Sequence, residues 1–139
     1  MAVYASADQL YDCLRELFAR MEAAEPRAAE SLLKSRLCIR FDLREPMAEI
    51  TIDGRRRPLQ IAYGPTAGKP ELDVALAADT LHRILLGELS LAKALGSKLL
   101  KPTGPVWKTA ALADLFASAR SIYPQVLQDD GLTGGRRDA

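Results

Sequence analysis

The sequence predicts an α+β domain of two layers, a mostly antiparallel five-stranded sheet covered on one face by helices. Three observations carry this reading. Apolar residues near the N-terminus recur at helical spacing, four consecutive runs between Leu37 and Ala77 alternate with a period of two, and helical spacing returns after Asp79. Strands and helices are therefore segregated along the chain, the arrangement of a sheet with helices packed on it rather than of a parallel βαβ fold.

In the first helix Leu10, Cys13, Leu14, Leu17, Phe18 and Met21 share one face, with Ser6 and Asp8 as caps. Pro26 then opens a short helical run, PRAAESLLK, in the first-turn position where its missing N–H is tolerated. The first strand alternates Leu37, Ile39, Phe41 and Leu43 with Cys38, Arg40, Asp42 and Arg44. MAEITID follows with Ala48, Ile50 and Ile52 on one side, and Asp53-Gly54 supplies a turn into PLQIAY, where Leu59, Ile61 and Tyr63 share a face. A fourth strand, ELDVALA, comes after the loop GPTAGKP; Asp73 points to the side opposite Leu72 and Val74.

Asp79 is the expected cap of a helix stopped by Gly87, and Ser90 that of a shorter one stopped by Gly96. SKLLK is the expected short fifth strand, ended by Pro102. A long helix from about Pro105 carries Trp107, Ala111, Leu112, Leu115, Phe116, Ala119 and Ile122 on a broad apolar face, and Pro124 weakens it. Residues 1–127 are expected to form one domain and 128–139 a disordered polar tail.

Composition bounds the function. The chain has 139 residues, 48% hydrophobic, enough for one core. Its 19 Lys and Arg against 18 acids give a net charge of +1, so no overall field favours nucleic acid or an anionic surface. No run approaches the roughly 20 apolar residues that span a bilayer, so stable membrane insertion is not expected. Cys13 and Cys38 lack metal-ligand spacing and read as buried free thiols of a protein in a reducing cytoplasm.

Motifs for chemistry fail one by one. GPTAGKP has one residue too few between its first glycine and the second for a phosphate loop, and Pro70 stands where a hydroxyl is needed. His82, three residues after Asp79, has no nucleophile in the pattern and reads as a surface residue. Arg55, Arg56 and Arg57 at the hairpin tip suit lipid headgroups or an anion, or are simply solvated. No catalytic residue, metal site or cofactor is expected.

The segment PELDVALAADTLHRILLGELSLAKALGSKLL resembles the sterol carrier protein type 2 domain family, as in its small stand-alone bacterial members. Asp73, Asp79, Gly87, Ala94, Gly96 and Leu99 fall at matching places, and the order of elements agrees from the first helix to about Ile122. The strand after the second glycine departs from the family pattern, since Pro102 and Pro105 flank Thr103-Gly104. The resemblance implies an apolar tunnel between sheet and helices that accepts fatty acyl chains, sterols or similar lipids without catalysis. Its expected wall is Leu85, Leu86, Leu89, Leu95 and Leu99 with Trp107, Leu112, Phe116 and Ile122; the alternative is that these residues meet in a dry core. The expected partner is an apolar small molecule, lipid or fatty acid. A protein-interaction or regulatory module with a closed core, pairing as a homodimer through its apolar helices, and an accessory domain to a lipid-handling enzyme are the competing expectations.

Overall fold

The computed structural model describes residues 3–131. Helix α1 runs over Ala7–Ala24 and is capped by the Ser6 hydroxyl oxygen, which accepts the Gln9 N–H at 3.1 Å. It buries Leu10, Cys13, Leu14, Leu17 and Met21, the spacing read from the sequence. A 3-10 turn at Pro26–Ala29 leads into α2, Glu30–Ser35, which Arg36 ends in the left-handed region at φ 53°.

The strands are β1 (Cys38–Arg44), β2 (Ala48–Asp53), β3 (Gln60–Tyr63), β4 (Leu72–Ala77) and β5 (Lys101–Thr103), in the order β3-β2-β1-β4-β5. The first three form the expected meander. β4 then returns to the other side of β1 and pairs with it in parallel, the one parallel ladder of the sheet. The register stacks like on like: Ile39 lies between Ile52 and Leu72, Phe41 between Ile50 and Val74, and Leu43 between Ala48 and Leu76. A slip of one residue would turn all of them out of the core. On the opposite face Arg40 forms an ion pair with Asp73, as the alternation around Leu72 and Val74 requires, and approaches Glu49 at 3.8 Å.

The remaining helices are α3 (Ala78–Leu86), α4 (Leu91–Gly96) and α5 (Ala113–Asp129), the last preceded by a 3-10 helix over Val106–Leu112. α5 packs between α1 and α3 to form the layer that covers the apolar face. Ser90 caps α4 as expected, accepting the Lys93 N–H at 3.0 Å, and Gly87 ends α3 at φ 82°.

Four local expectations change. α3 grows directly out of β4, so Ala77 takes the cap position and Asp79 lies in the first turn, where it accepts the Val3 N–H at 2.9 Å. Residues 97–100 wrap the end of α4, with the Leu99 and Leu100 N–H groups donating to the Ala94 carbonyl, and the fifth strand forms three residues later around Pro102 itself. That proline is tolerated because β5 is an edge strand, bonded on one side only. The terminal helix starts as a 3-10 helix and becomes α-helical at Ala113, then continues through Pro124. Pro124 and Arg120, whose carbonyl loses its usual donor, are both exposed, so the deficit lies on the solvent side. Gln128 and Asp129 belong to α5 rather than to the expected tail, Asp130 caps its end, and Asp129 holds Arg20 of α1 at 2.7 Å; residues 132–139 of that tail lie outside the described residues.

Candidate functional site

The site begins where the helical layer stops short of the sheet edge. On β3 the inward side chains Ile61 and Tyr63, with Leu59 before them, are only half-buried, because no helix lies squarely over this strand. They form the floor of a groove of about 580 Å³. Phe18 and Met21 of α1 make one wall, and Ala28 and Leu33 of the Pro26–Ser35 segment the other.

The rim is charged. Arg57, on the β2–β3 hairpin, clasps Glu30 of α2 through two hydrogen bonds of 2.7 and 3.1 Å, and this pair holds the Glu30 carboxyl below its ordinary pKa. Arg15 lies 4.6 Å from the centre of the Tyr63 ring, a cation–π contact, while it pairs with Asp12 at 3.1 Å. Burial pushes the Tyr63 hydroxyl up to about 12, so it stays neutral in the groove.

Behind the groove lies a gap of about 20 Å³ between sheet and helices, lined by apolar residues that include Leu14, Phe41, Leu85 and Phe116. Phe41 and Phe116 meet edge to face across it at 6.1 Å. Phe18 and Leu115 border both spaces, so two side chains separate the open groove from the interior.

The residues expected to form a tunnel wall are dispersed. Leu85 and Phe116 line the inner gap. Leu89 and Leu112 are buried in the core without bordering either space, and Leu86, Leu95, Leu99 and Ile122 pack half-buried against it. Trp107 is 76% exposed and belongs to no wall: the 3-10 helix turns Thr109 and Leu112 inward and the tryptophan out. Periodicity identifies an apolar face but not which of its residues another element covers. The groove residues that the sequence reading missed, Phe18, Leu33, Ile61 and Tyr63, left one signal: strand PLQIAY offered an apolar face for which no helix had been reserved.

His82 is likewise not a surface residue. It is 6% exposed, and its Nδ1 lies 2.6 Å from the Tyr123 hydroxyl, which is also hydrogen-bonded to the hydroxyl of Tyr4. Burial lowers its pKa, so the ring is held neutral. Among the described residues no group of three or more His, Cys, Asp or Glu converges as a metal site, and no helix is long and apolar enough to cross a membrane. Cys13 and Cys38 are buried and unpaired. What the arrangement offers chemically is an apolar trough with charge confined to its lip.

The model of the SCP-2 sterol transfer family matches residues 15–117. No curated protein matches the chain. Among solved structures, the apo sterol carrier protein 2 from Yarrowia lipolytica is 20% identical, with a TM-score of 0.60 over 82% of this chain and 91% of that one. The sterol carrier protein domain 2 of Helicoverpa armigera is 19% identical, with a TM-score of 0.63 over 81% of this chain and 88% of its own. The palmitated SCP2L2 from Aedes aegypti is 18% identical, with a TM-score of 0.57 over 75% and 90%. These likenesses establish the fold, the mixed α+β sheet with its helical cover, and the family match, which takes in Phe18, the β3 floor and Leu115, establishes kinship: the chain is a member of the SCP-2 sterol transfer family.

Proposed function

We propose that this protein is a non-enzymatic carrier of a lipid with an acyl chain, which lies on the β3 floor of the groove and passes between Phe18 and Leu115 into the interior. The observation that carries the reading is that these two residues border both spaces, so rotating them joins a groove to an apolar gap without unfolding any element. The groove's 580 Å³ falls within the roughly 300–1,000 Å³ usual for small-molecule sites.

The energetics favour a chain over a compact polar ligand. Each buried CH₂ contributes about 0.8 kcal/mol, so a dozen methylenes give roughly 10 kcal/mol before ordering costs. The charged lip sets which end of the lipid stays outside. The palmitated mosquito relative, on the same fold, supports an acyl ligand. Buried unpaired thiols at Cys13 and Cys38 accord with a cytoplasmic, reducing setting.

The test is titration of the purified protein with a fluorescent acyl probe and its displacement by palmitate, alongside Ala28→Phe, which puts a ring into the groove. Saturable, displaceable binding that weakens at least tenfold in the folded variant is expected. No binding at micromolar probe, or equal binding by the variant, would sink the proposal.

A further inference from the structure

The loop GPTAGKP, which lacks the spacing of a phosphate loop, is left without a role by the groove. It borders a second cleft, of about 250 Å³, on the face of the sheet opposite the helices. Thr51, Asp53 and Gln60 of β2 and β3, with Cys38 at the start of β1, form the sheet side of this cleft; Thr66 and Lys69 form the loop side. The strand register explains the arrangement. Ile50 and Ile52 are turned into the core, so Thr51 and Asp53 point outward, and Thr51 lies opposite Ala62, whose methyl is too short to fill the space beside the hydroxyl.

The polar groups of the cleft are unevenly satisfied. The Thr51 hydroxyl oxygen is buried and has no hydrogen-bond partner among the described residues. Such a group costs stability, and few persist in folded proteins without a use. Arg55 gives Nε and Nη2 to the Asp53 carboxylate, at 2.9 Å each, and keeps Nη1 for another acceptor. Lys69 has no ion-pair partner among the described residues. Cys38 adds no charge, because burial raises its thiol pKa and keeps it neutral. The lining therefore carries a single net positive charge, that of Lys69 beside the neutral Arg55–Asp53 pair. Further along the same face Arg40 is engaged by both Asp73 and Glu49, which leaves an excess of acid there.

We propose that this cleft binds a small soluble carboxylic acid that carries a second polar group, a hydroxyl or carbonyl, at the far end of a short carbon chain. Its carboxylate sits between Lys69 and Arg55 Nη1, and its hydroxyl or carbonyl reaches Thr51. The length follows from the strand. Thr51 and Asp53, which holds Arg55, are two residues apart on one face of β2, roughly 7 Å, the span of a chain of about four carbons. The charge follows from the lining. One positive charge matches a carboxylate, whereas a phosphate dianion would bring an uncompensated charge close to Asp53 and to the acids around Arg40. β2 and β3 separate this cleft from the acyl groove, so the two sites fill independently and the proposal does not rest on the carrier reading.

The probes are γ-hydroxybutyrate, butyrate, butanediol and inorganic phosphate, each titrated into the isotope-labelled protein and followed by its amide NMR shifts. Expected is saturable binding of γ-hydroxybutyrate that shifts Thr51, Gln60, Thr66 and Lys69 and leaves Phe18 and Leu33 of the groove unmoved. Butyrate should bind about fivefold more weakly, because it leaves Thr51 without a partner, and butanediol and phosphate should not saturate. Lys69→Gln, in an exposed loop, should weaken both carboxylates about tenfold. Thr51→Val keeps the shape of the side chain and removes an unsatisfied group, so it should fold as well as wild type. It should bind butyrate unchanged and lose the preference for γ-hydroxybutyrate. Ala28→Phe, which fills the groove, should bind all four probes as wild type does. No saturation by γ-hydroxybutyrate at about 10 mM, a preference for phosphate, or equal affinity for the two carboxylates in wild type would overturn the proposal. So would a Thr51→Val variant that keeps the preference, or shifts centred on the groove.

Discussion

His82 Nδ1 stands 2.6 Å from the Tyr123 hydroxyl, and Tyr123 in turn is hydrogen-bonded to Tyr4, so the N-terminal segment, α3 and α5 are tied by one buried polar chain. With the imidazole neutral, Nδ1 accepts from Tyr123 and Tyr123 accepts from Tyr4, and each hydroxyl hydrogen has a place. Burial lowers the His82 pKa below its ordinary 6.5. As pH falls through 6.5 the unfolded chain binds a proton that the folded chain resists, so stability drops, by up to about 1.4 kcal/mol per pH unit until the folded value is reached. Urea unfolding between pH 5 and 8 should show this slope, and His82→Gln, which keeps an acceptor without a titration, should flatten it. Parallel pH profiles for the two proteins would refute the assignment.

Tyr123 is the middle of that chain, and its removal is expected to be the most damaging conservative change in it. Tyr123→Phe leaves both the Tyr4 hydroxyl and His82 Nδ1 without their partner in a buried site. An unsatisfied buried polar group costs about 1–3 kcal/mol. Tyr4→Phe deletes an end of the chain and orphans nothing, so it should cost less. Comparing the two variants by urea unfolding at pH 7.5 checks the order; equal losses would mean that the hydroxyls act independently.

What could be read from the sequence, and what could not, divides along a physical line. The strand register was legible because Ile39, Phe41 and Leu43 alternate with charged residues, and one buried face leaves one solution. Helix caps with a side-chain signal, Ser6 and Ser90, were legible as well. Asp79 carried the same signal and was misread, because α3 starts without a loop and the carboxylate is spent on the N-terminal segment. His82 and Trp107 were exchanged in burial, the histidine being inside and the tryptophan outside. Residue type sets an average preference, whereas a hydroxyl partner 41 residues away, at Tyr123, and a 3-10 helix in place of an α-helix decide the particular case. The groove was illegible for a related reason: it is a place where a covering element is missing, and spacing records the faces of elements, not the distances between them.

Gly104 is expected to tolerate no side chain. It sits at φ +121°, and a Cβ there would lie 2.6 Å from the Glu71 carbonyl oxygen, a backbone atom that cannot swing aside. Gly104→Ala should therefore lose about 1–3 kcal/mol of stability, through strain and through displacement of β5. Gly68, in the loop before β4, has open space around its Cα and no positive φ, so Gly68→Ala should lose nothing and can gain up to about 1 kcal/mol. Denaturant unfolding of the pair distinguishes local geometry from a general intolerance of glycine replacement.

Phe18 should control how long a chain the protein accepts. Its ring borders the groove on one side and the inner gap on the other, so Phe18→Ala merges the two spaces while leaving the floor of Ile61 and Tyr63 in place. Because the ring is half-buried rather than fully enclosed, the stability loss should stay below the roughly 3–5 kcal/mol of a core Phe→Ala change. In the carrier reading, wild type must rotate this ring to admit the far end of a long chain, and a short chain never reaches it. Acyl probes of increasing length should therefore gain more affinity from Phe18→Ala the longer they are, with little change for the shortest. A uniform gain at every length would mean that the variant merely enlarges the groove, and an unchanged length dependence would mean that chains do not pass between Phe18 and Leu115.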